Sequence, residues 1–140
     1  MVRYWDTSAI VLLLVKEAES TLRSGQLLSV SGIVTWWGTR SEAISALCRR
    51  EREGSIDILT FQHGLDRLDK LSDQWGEVGA SDALRLRSER LLRVHPLRAA
   101  DAWQLAAALL ATNEQTRGST FHTGDARLAQ AAGKEGFLVC

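Results

Sequence analysis

Proline is nearly missing from this chain, with one residue in 140, and cysteine numbers only two. One proline beside eleven glycines excludes collagen-like repeats and proline-rich disorder. Cys48 lies inside a helical pattern and Cys140 far from it, with no Cys or His at zinc-ligand spacing. Both read as reduced thiols, which excludes a disulfide scaffold and a structural zinc site. Long apolar runs are lacking as well. Ala9 to Val15 is seven residues, closed by Lys16-Glu17 without a small-residue cleavage site, so it is neither a signal peptide nor a membrane span. The expectation is a cytoplasmic protein that does not engage a membrane.

An excess of charge of one sign is absent too: 17 basic and 17 acidic residues cancel, so no global field marks the chain as a nucleic-acid binder. The positive charge is carried by 14 Arg against 3 Lys. Two clusters recur, Arg49, Arg50 and Arg52, then Arg85, Arg87, Arg90, Arg93 and Arg98. Guanidinium is the better bidentate phosphate donor, which makes the clusters candidate phosphate contacts. Interleaved Glu51, Glu53 and Glu89 fit solvated helix faces equally well. At 140 residues, 45% apolar and 24% charged, the chain has the size and composition of one domain, 1–140, that buries a core unaided.

The hydrophobic pattern alternates short extended runs with helices. Val2 to Trp5 reads as a strand that breaks at Asp6-Thr7-Ser8, where Asp or Ser can cap a helix over Ala9–Val15. A second helix is expected from Lys16 to Leu27 and a strand over Leu28–Thr35. The next helix carries Glu42 among the small residues Gly38, Ser45 and Ala46 and stops at Gly54. Phe61–Trp75 and Ala80–Val94 predict two amphipathic helices paired as a hairpin across Gly76–Gly79, forming a cap or dimer surface. After Pro96 comes a helix over Leu97–Ala111, apolar except for Arg98, Asp101 and Gln104, which share one stripe. A strand at Ser119–His122, a helix from Ala126 to Lys134 and a strand at Phe137–Val139 complete a parallel, doubly wound α/β fold.

Four carboxylates interrupt or directly follow apolar segments: Asp6, Glu42, Asp101 and Asp125. Burying an unpaired carboxylate is costly unless a partner, a proton or a metal compensates, so the four suggest a shared metal centre. Ligands of open parallel sheets sit beyond the carboxyl ends of the strands, and Asp6 and Asp125 both follow strands. Individually, each acid also reads as a cap or a solvated charge. Asp101 fits that reading least, because a cap would sit nearer Pro96.

In order and spacing these segments resemble PIN-domain ribonucleases, specifically the VapC-type toxin of VapBC toxin–antitoxin pairs, over essentially the whole chain. The resemblance rests on Asp6-Thr7-Ser8 after the first strand and on Glu42 before Ala43-Ile44-Ser45-Ala46-Leu47. It rests further on Asp101 opening the Ala/Leu-rich helix and on Thr123-Gly124-Asp125. It implies a three-layer α/β/α domain with a short central parallel sheet and a helical hairpin. It also implies an endoribonuclease, dependent on Mg²⁺ or Mn²⁺, that is held as a homodimer and silenced by a small antitoxin with a basic or aromatic segment. Hard divalent ions prefer oxygen donors, as in an all-carboxylate set. Asp6, Asp101 and Asp125 would be metal ligands, and Glu42 a ligand or a base orienting water. Ser8 and Thr123 would hydrogen-bond a carboxylate or a metal-bound water; each also reads as a plain helix cap or turn residue.

His122 neighbours Asp125 but is expected to be structural, and His63 and His95 belong to no motif. Trp5, Trp103 and one of Trp36-Trp37 are expected in the core, the other of the pair on a partner surface. Two rival functions remain. One is a PIN-fold protein-binding module with little turnover. The other is an acid-pocket phosphotransfer domain, which is disfavoured because Ser8 stands where a second Asp is needed and no suitable Lys follows a strand.

Overall fold

Arg3–Trp5 forms β1, and its side chains alternate between the two faces of a sheet, Tyr4 fully buried on one side and Trp5 half-buried on the other. The computed structural model of the chain describes residues 1–24 and 31–140. After β1 follow α1 (Thr7–Ser24), β2 (Ile33–Trp36), α2 (Thr39–Arg52), α3 (Ile58–Ser72) and β3 (Gly76–Val78). The rest of the chain forms α4 (Asp82–Val94), α5 (Ala99–Ala111), β4 (Thr120–His122), α6 (Ala126–Lys134) and β5 (Leu138–Val139). All five strands are parallel, in the order β3-β2-β1-β4-β5.

Two apolar layers cover the sheet. On one face Ile10, Leu14, Ala43, Leu47 and Leu68 from α1, α2 and α3 pack together over Ile33. On the other, Leu84, Leu91, Leu105, Leu109 and Leu128 from α4, α5 and α6 pack over Tyr4 and Phe121. Each fully buried leucine contributes roughly 1.5–3 kcal/mol. The α/β/α fold class is therefore as expected. Register pairs Tyr4 with Phe121 and Trp5 with His122, and both pairs stack, at 5.2 Å and 4.1 Å between ring centroids.

Several boundaries differ from the sequence reading. The expected break between Val15 and Lys16 is absent, because neither Gly nor Pro stands there and Lys16 falls on the exposed side of one continuous α1. The end of the expected second helix (25–27) and the start of the expected strand (28–30) lie outside the described residues. The helical hairpin exists but is made of α4 and α5, joined through His95, Pro96, Leu97 and Arg98. Gly76–Val78 forms an edge strand on β2 instead of a hairpin turn, which sends α3 and α4 to opposite faces. Trp103, expected in the core, is 39% exposed and leans on Trp36, which is buried. Trp37 is the exposed member of its pair. No helix among the described residues is long and apolar enough to cross a membrane.

Strand order sets the position of any site. From β1 the chain moves through α1 to β2 on one side, and it later returns through α4 and α5 to β4 on the other. The carboxyl ends of β1 and β4 thus flank a crevice at the point where the winding reverses.

Candidate functional site

Asp6 stands at the end of β1, only 4% exposed, and its backbone N–H is bound to the His122 carbonyl of β4 at 3.1 Å. Its Oδ1 accepts the Ala9 N–H at 3.1 Å, capping α1, and the Ser8 hydroxyl at 2.8 Å. Its Oδ2 accepts the Thr123 hydroxyl at 2.9 Å. Both hydroxyls also accept a backbone N–H from the β4–α6 loop, Ser8 from Gly124 at 2.8 Å and Thr123 from Asp125 at 3.0 Å. Asp6 is thereby tied to the loop that carries Asp125. A carboxylate offers about four lone pairs, so among the described residues one on Oδ2 stays open.

Asp125 caps α6, its Oδ1 accepting the Leu128 N–H at 2.9 Å. Asp101 lies in the first turn of α5, half-buried, and accepts no hydrogen bond among the described residues. Glu42 lies in the first turn of α2, and its Oε1 accepts Trp36 Nε1 at 3.2 Å and Gln104 Nε2 at 3.3 Å. Four separate elements thus deliver Asp6, Glu42, Asp101 and Asp125 to one cleft of about 950 Å³. Ser8, Gln104, Ser45 and Ala46 also line it, the small pair on the Glu42 side.

The electrostatics are those of crowded acids. Burial pushes Asp6 above the ordinary carboxylate value, aided by the charge of Asp125 and opposed by the bonds from Ser8, Ala9 and Thr123. Burial also raises Glu42, aided by Asp6 and opposed by Trp36, Thr7 and Gln104. Asp101 is raised by burial and then by Asp125, Asp6 and Glu42, with Arg98 as the opposing charge. None of the four acids forms an ion pair among the described residues.

Open carboxylate oxygens and mutual repulsion are the donor chemistry of a hard divalent cation. Among the described residues, however, no three His, Cys, Asp or Glu side chains are grouped closely enough to hold one ion. A hard divalent ion placed here would be held in part through its own waters, because the described acids do not close an all-protein cage.

The structure adds Gln104 to the cleft, a residue that the sequence pattern placed only on a polar stripe. It is 2% exposed, and its Oε1 accepts the buried Tyr4 hydroxyl at 2.7 Å. Its Nε2 has two N–H groups for three acceptors, Thr7 at 3.0 Å, Thr39 at 3.1 Å and Glu42 at 3.3 Å, so one N–H is shared. Thr35 gives its only hydroxyl proton to the Trp5 carbonyl at 2.8 Å, so Thr39 must donate to Thr35 across 2.7 Å. A directed chain of hydrogen bonds therefore runs from Tyr4 through Gln104, Thr39 and Thr35 back to β1. Its sequence signal is an amide one turn after Asp101 on an otherwise apolar helix. His122 is stacked on Trp5 and bonded to Thr120 at 3.1 Å.

Neither a protein-family profile nor a curated protein sequence matches the chain. Among solved structures it is similar to VapBC-1 from nontypeable Haemophilus influenzae, with a TM-score of 0.57 over 100% of this chain and 97% of the other. At 16% sequence identity the likeness is one of fold, a PIN-like α/β/α arrangement.

Proposed function

We propose that this chain is a Mg²⁺- or Mn²⁺-dependent endoribonuclease that hydrolyses RNA phosphodiester bonds as the toxin of a type II toxin–antitoxin pair. The observation that carries this reading is the delivery of four carboxylates, without cationic partners among the described residues, to one cleft at the switch point of a fold shared with VapBC-1. A bound divalent ion would polarise the scissile phosphate and lower the pKa of a water. Asp6, Asp101 and Asp125 would hold it in part through its own waters, since no three acids among the described residues close on one point. Asp6 is the most rigid of them, since Ser8, Thr123 and Ala9 fix both of its oxygens. Glu42 is oriented through Oε1 by Trp36 and Gln104, and the Thr7 hydroxyl also stands beside its carboxylate. Its raised pKa brings it nearer the range in which a carboxylate accepts a proton well at neutral pH.

A small antitoxin that places a basic segment in the acidic cleft, and a homodimer, complete the proposal. Exposed Leu86, Leu92 and Val94 on α4 offer apolar area for a second copy, and sedimentation as a monomer at high concentration would remove the dimer. The deciding experiment is incubation of purified total RNA with wild-type protein and with Asp101→Asn, each with Mg²⁺, Mn²⁺ or EDTA. Discrete cleavage that chelation and the substitution both abolish is the expected result. The rival reading, a PIN-fold binding module with little turnover, draws on the spacing of the acids and on exposed Trp37. It predicts a stable protein complex and intact RNA.

A further inference from the structure

The acid cleft is not isolated. Asp101 and Asp125 also line a second groove of about 400 Å³, so the two depressions meet at the carboxylates. Each groove carries two arginines: Arg49 and Arg50 from the last turn of α2 in the larger, Arg98 and Arg127 from the starts of α5 and α6 in the smaller. None of these four forms an ion pair among the described residues. Other arginines differ: Arg87 is spent on Glu114 and Glu135, and Arg85 on Asp82. The second arginine cluster of the sequence thus divides by structure, with Arg98 at the site and the rest on α4.

Guanidinium groups outside any ion pair among the described residues, although the charge of Arg98 reaches Asp101, suit a ligand whose negative charge repeats along its length. Glu53 is the added acid on the larger groove's wall. We propose that an RNA strand crosses both grooves, with Arg49 and Arg50 holding phosphates on one side of the acid cluster and Arg98 and Arg127 on the other. This rests on the nuclease reading for the identity of the strand.

The test is fluorescence anisotropy of a short labelled single-stranded RNA with Asp101→Asn protein in EDTA, where turnover is blocked, across a salt series. The Arg49→Ala/Arg50→Ala and Arg98→Ala/Arg127→Ala pairs are compared with Arg90→Ala/Arg93→Ala. That last pair removes the same charge from the exposed side of α4. Each lost phosphate contact lowers the slope of log affinity against log salt by about 0.7. Each groove pair is expected to lower it by roughly 1.4 and the α4 pair by much less. A loss confined to one groove, an equal loss from the α4 pair, or equally tight binding of polyglutamate overturns the crossing path. Slopes that behave as expected while wild-type protein leaves total RNA intact overturn the nuclease reading alone. Cleavage that persists while both groove pairs bind normally overturns the path alone.

Discussion

Gln104→Leu removes a buried amide at the point where three elements meet. Tyr4, fully buried, then loses its amide acceptor and keeps only the Thr35 hydroxyl beside it, and Glu42, Thr7 and Thr39 lose the two N–H groups they share. An unsatisfied buried polar group costs about 1–3 kcal/mol. The Tyr4 hydroxyl supplies most of this cost, because Thr39 still bonds Thr35 and Glu42 still bonds Trp36. The expected loss is about 2–4 kcal/mol, read as a lower urea midpoint with an unchanged slope. The sign of the coupling is more demanding than the size. Tyr4→Phe alone strands Gln104 Oε1, whereas Tyr4→Phe with Gln104→Leu replaces both partners with apolar groups, a change that can be nearly neutral. The double variant should therefore cost less than the sum of the singles by about 1–3 kcal/mol. Costs that simply add would refute the buried chain as the organiser of this end of the sheet. Under the proposed function the same substitution loosens Glu42 and lowers RNA cleavage by roughly 10–100-fold.

Because Asp6, Glu42 and Asp101 all titrate above their ordinary values of 3.8, 4.5 and 3.8, the folded chain binds protons more tightly than the unfolded chain in the window between. Without divalent ion, their contribution to stability therefore grows as pH falls from neutral through the raised values, is complete near the ordinary ones, and is lost again as pH rises. Melting temperature in EDTA should show this gain in wild type and less of it in Asp101→Asn; equal profiles would argue against mutual repulsion. Mg²⁺ or Mn²⁺ at a hundredfold excess over its dissociation constant should stabilise wild type by about 2.7 kcal/mol, roughly 5–10 °C, and EDTA should reverse it. Gly38→Ala would bring a Cβ to 2.7 Å from Trp36 Cε2, so the indole must move off Glu42 at a cost of about 1–3 kcal/mol. An unshifted Trp36 indole N–H resonance in that variant would show that the ring is not held there.

Much of the fold was legible because it rests on local signals. Period-two strands, capped amphipathic helices and Gly54 at positive φ after α2 are written in neighbouring residues. The misplaced hairpin had no such signal: Gly76–Val78 looks like a turn until β2 supplies backbone partners for it. Trp103 likewise read as core because its neighbours are apolar, although its own direction on α5 leaves it at the rim.

The four acids could be picked out in the sequence because a carboxylate amid apolar residues is costly wherever the chain puts it. Where they stand relative to one another is long-range. Asp6 and Asp125 adjoin because β4 inserts beside β1, and Thr123 bonds the Asp6 carboxylate across 117 positions of chain, whereas Ser8 reaches it from two residues away. Gln104 matters because β1, α1 and α2 all converge on its amide, and Arg49 and Arg50 share a cleft with the acids only after α2 packs beside α1. Sequence by itself determined the elements and the residue types with unusual chemistry, since propensity and desolvation act locally. Only the tertiary structure decided which of those residues meet, because strand order and helix packing set distances that no local pattern encodes.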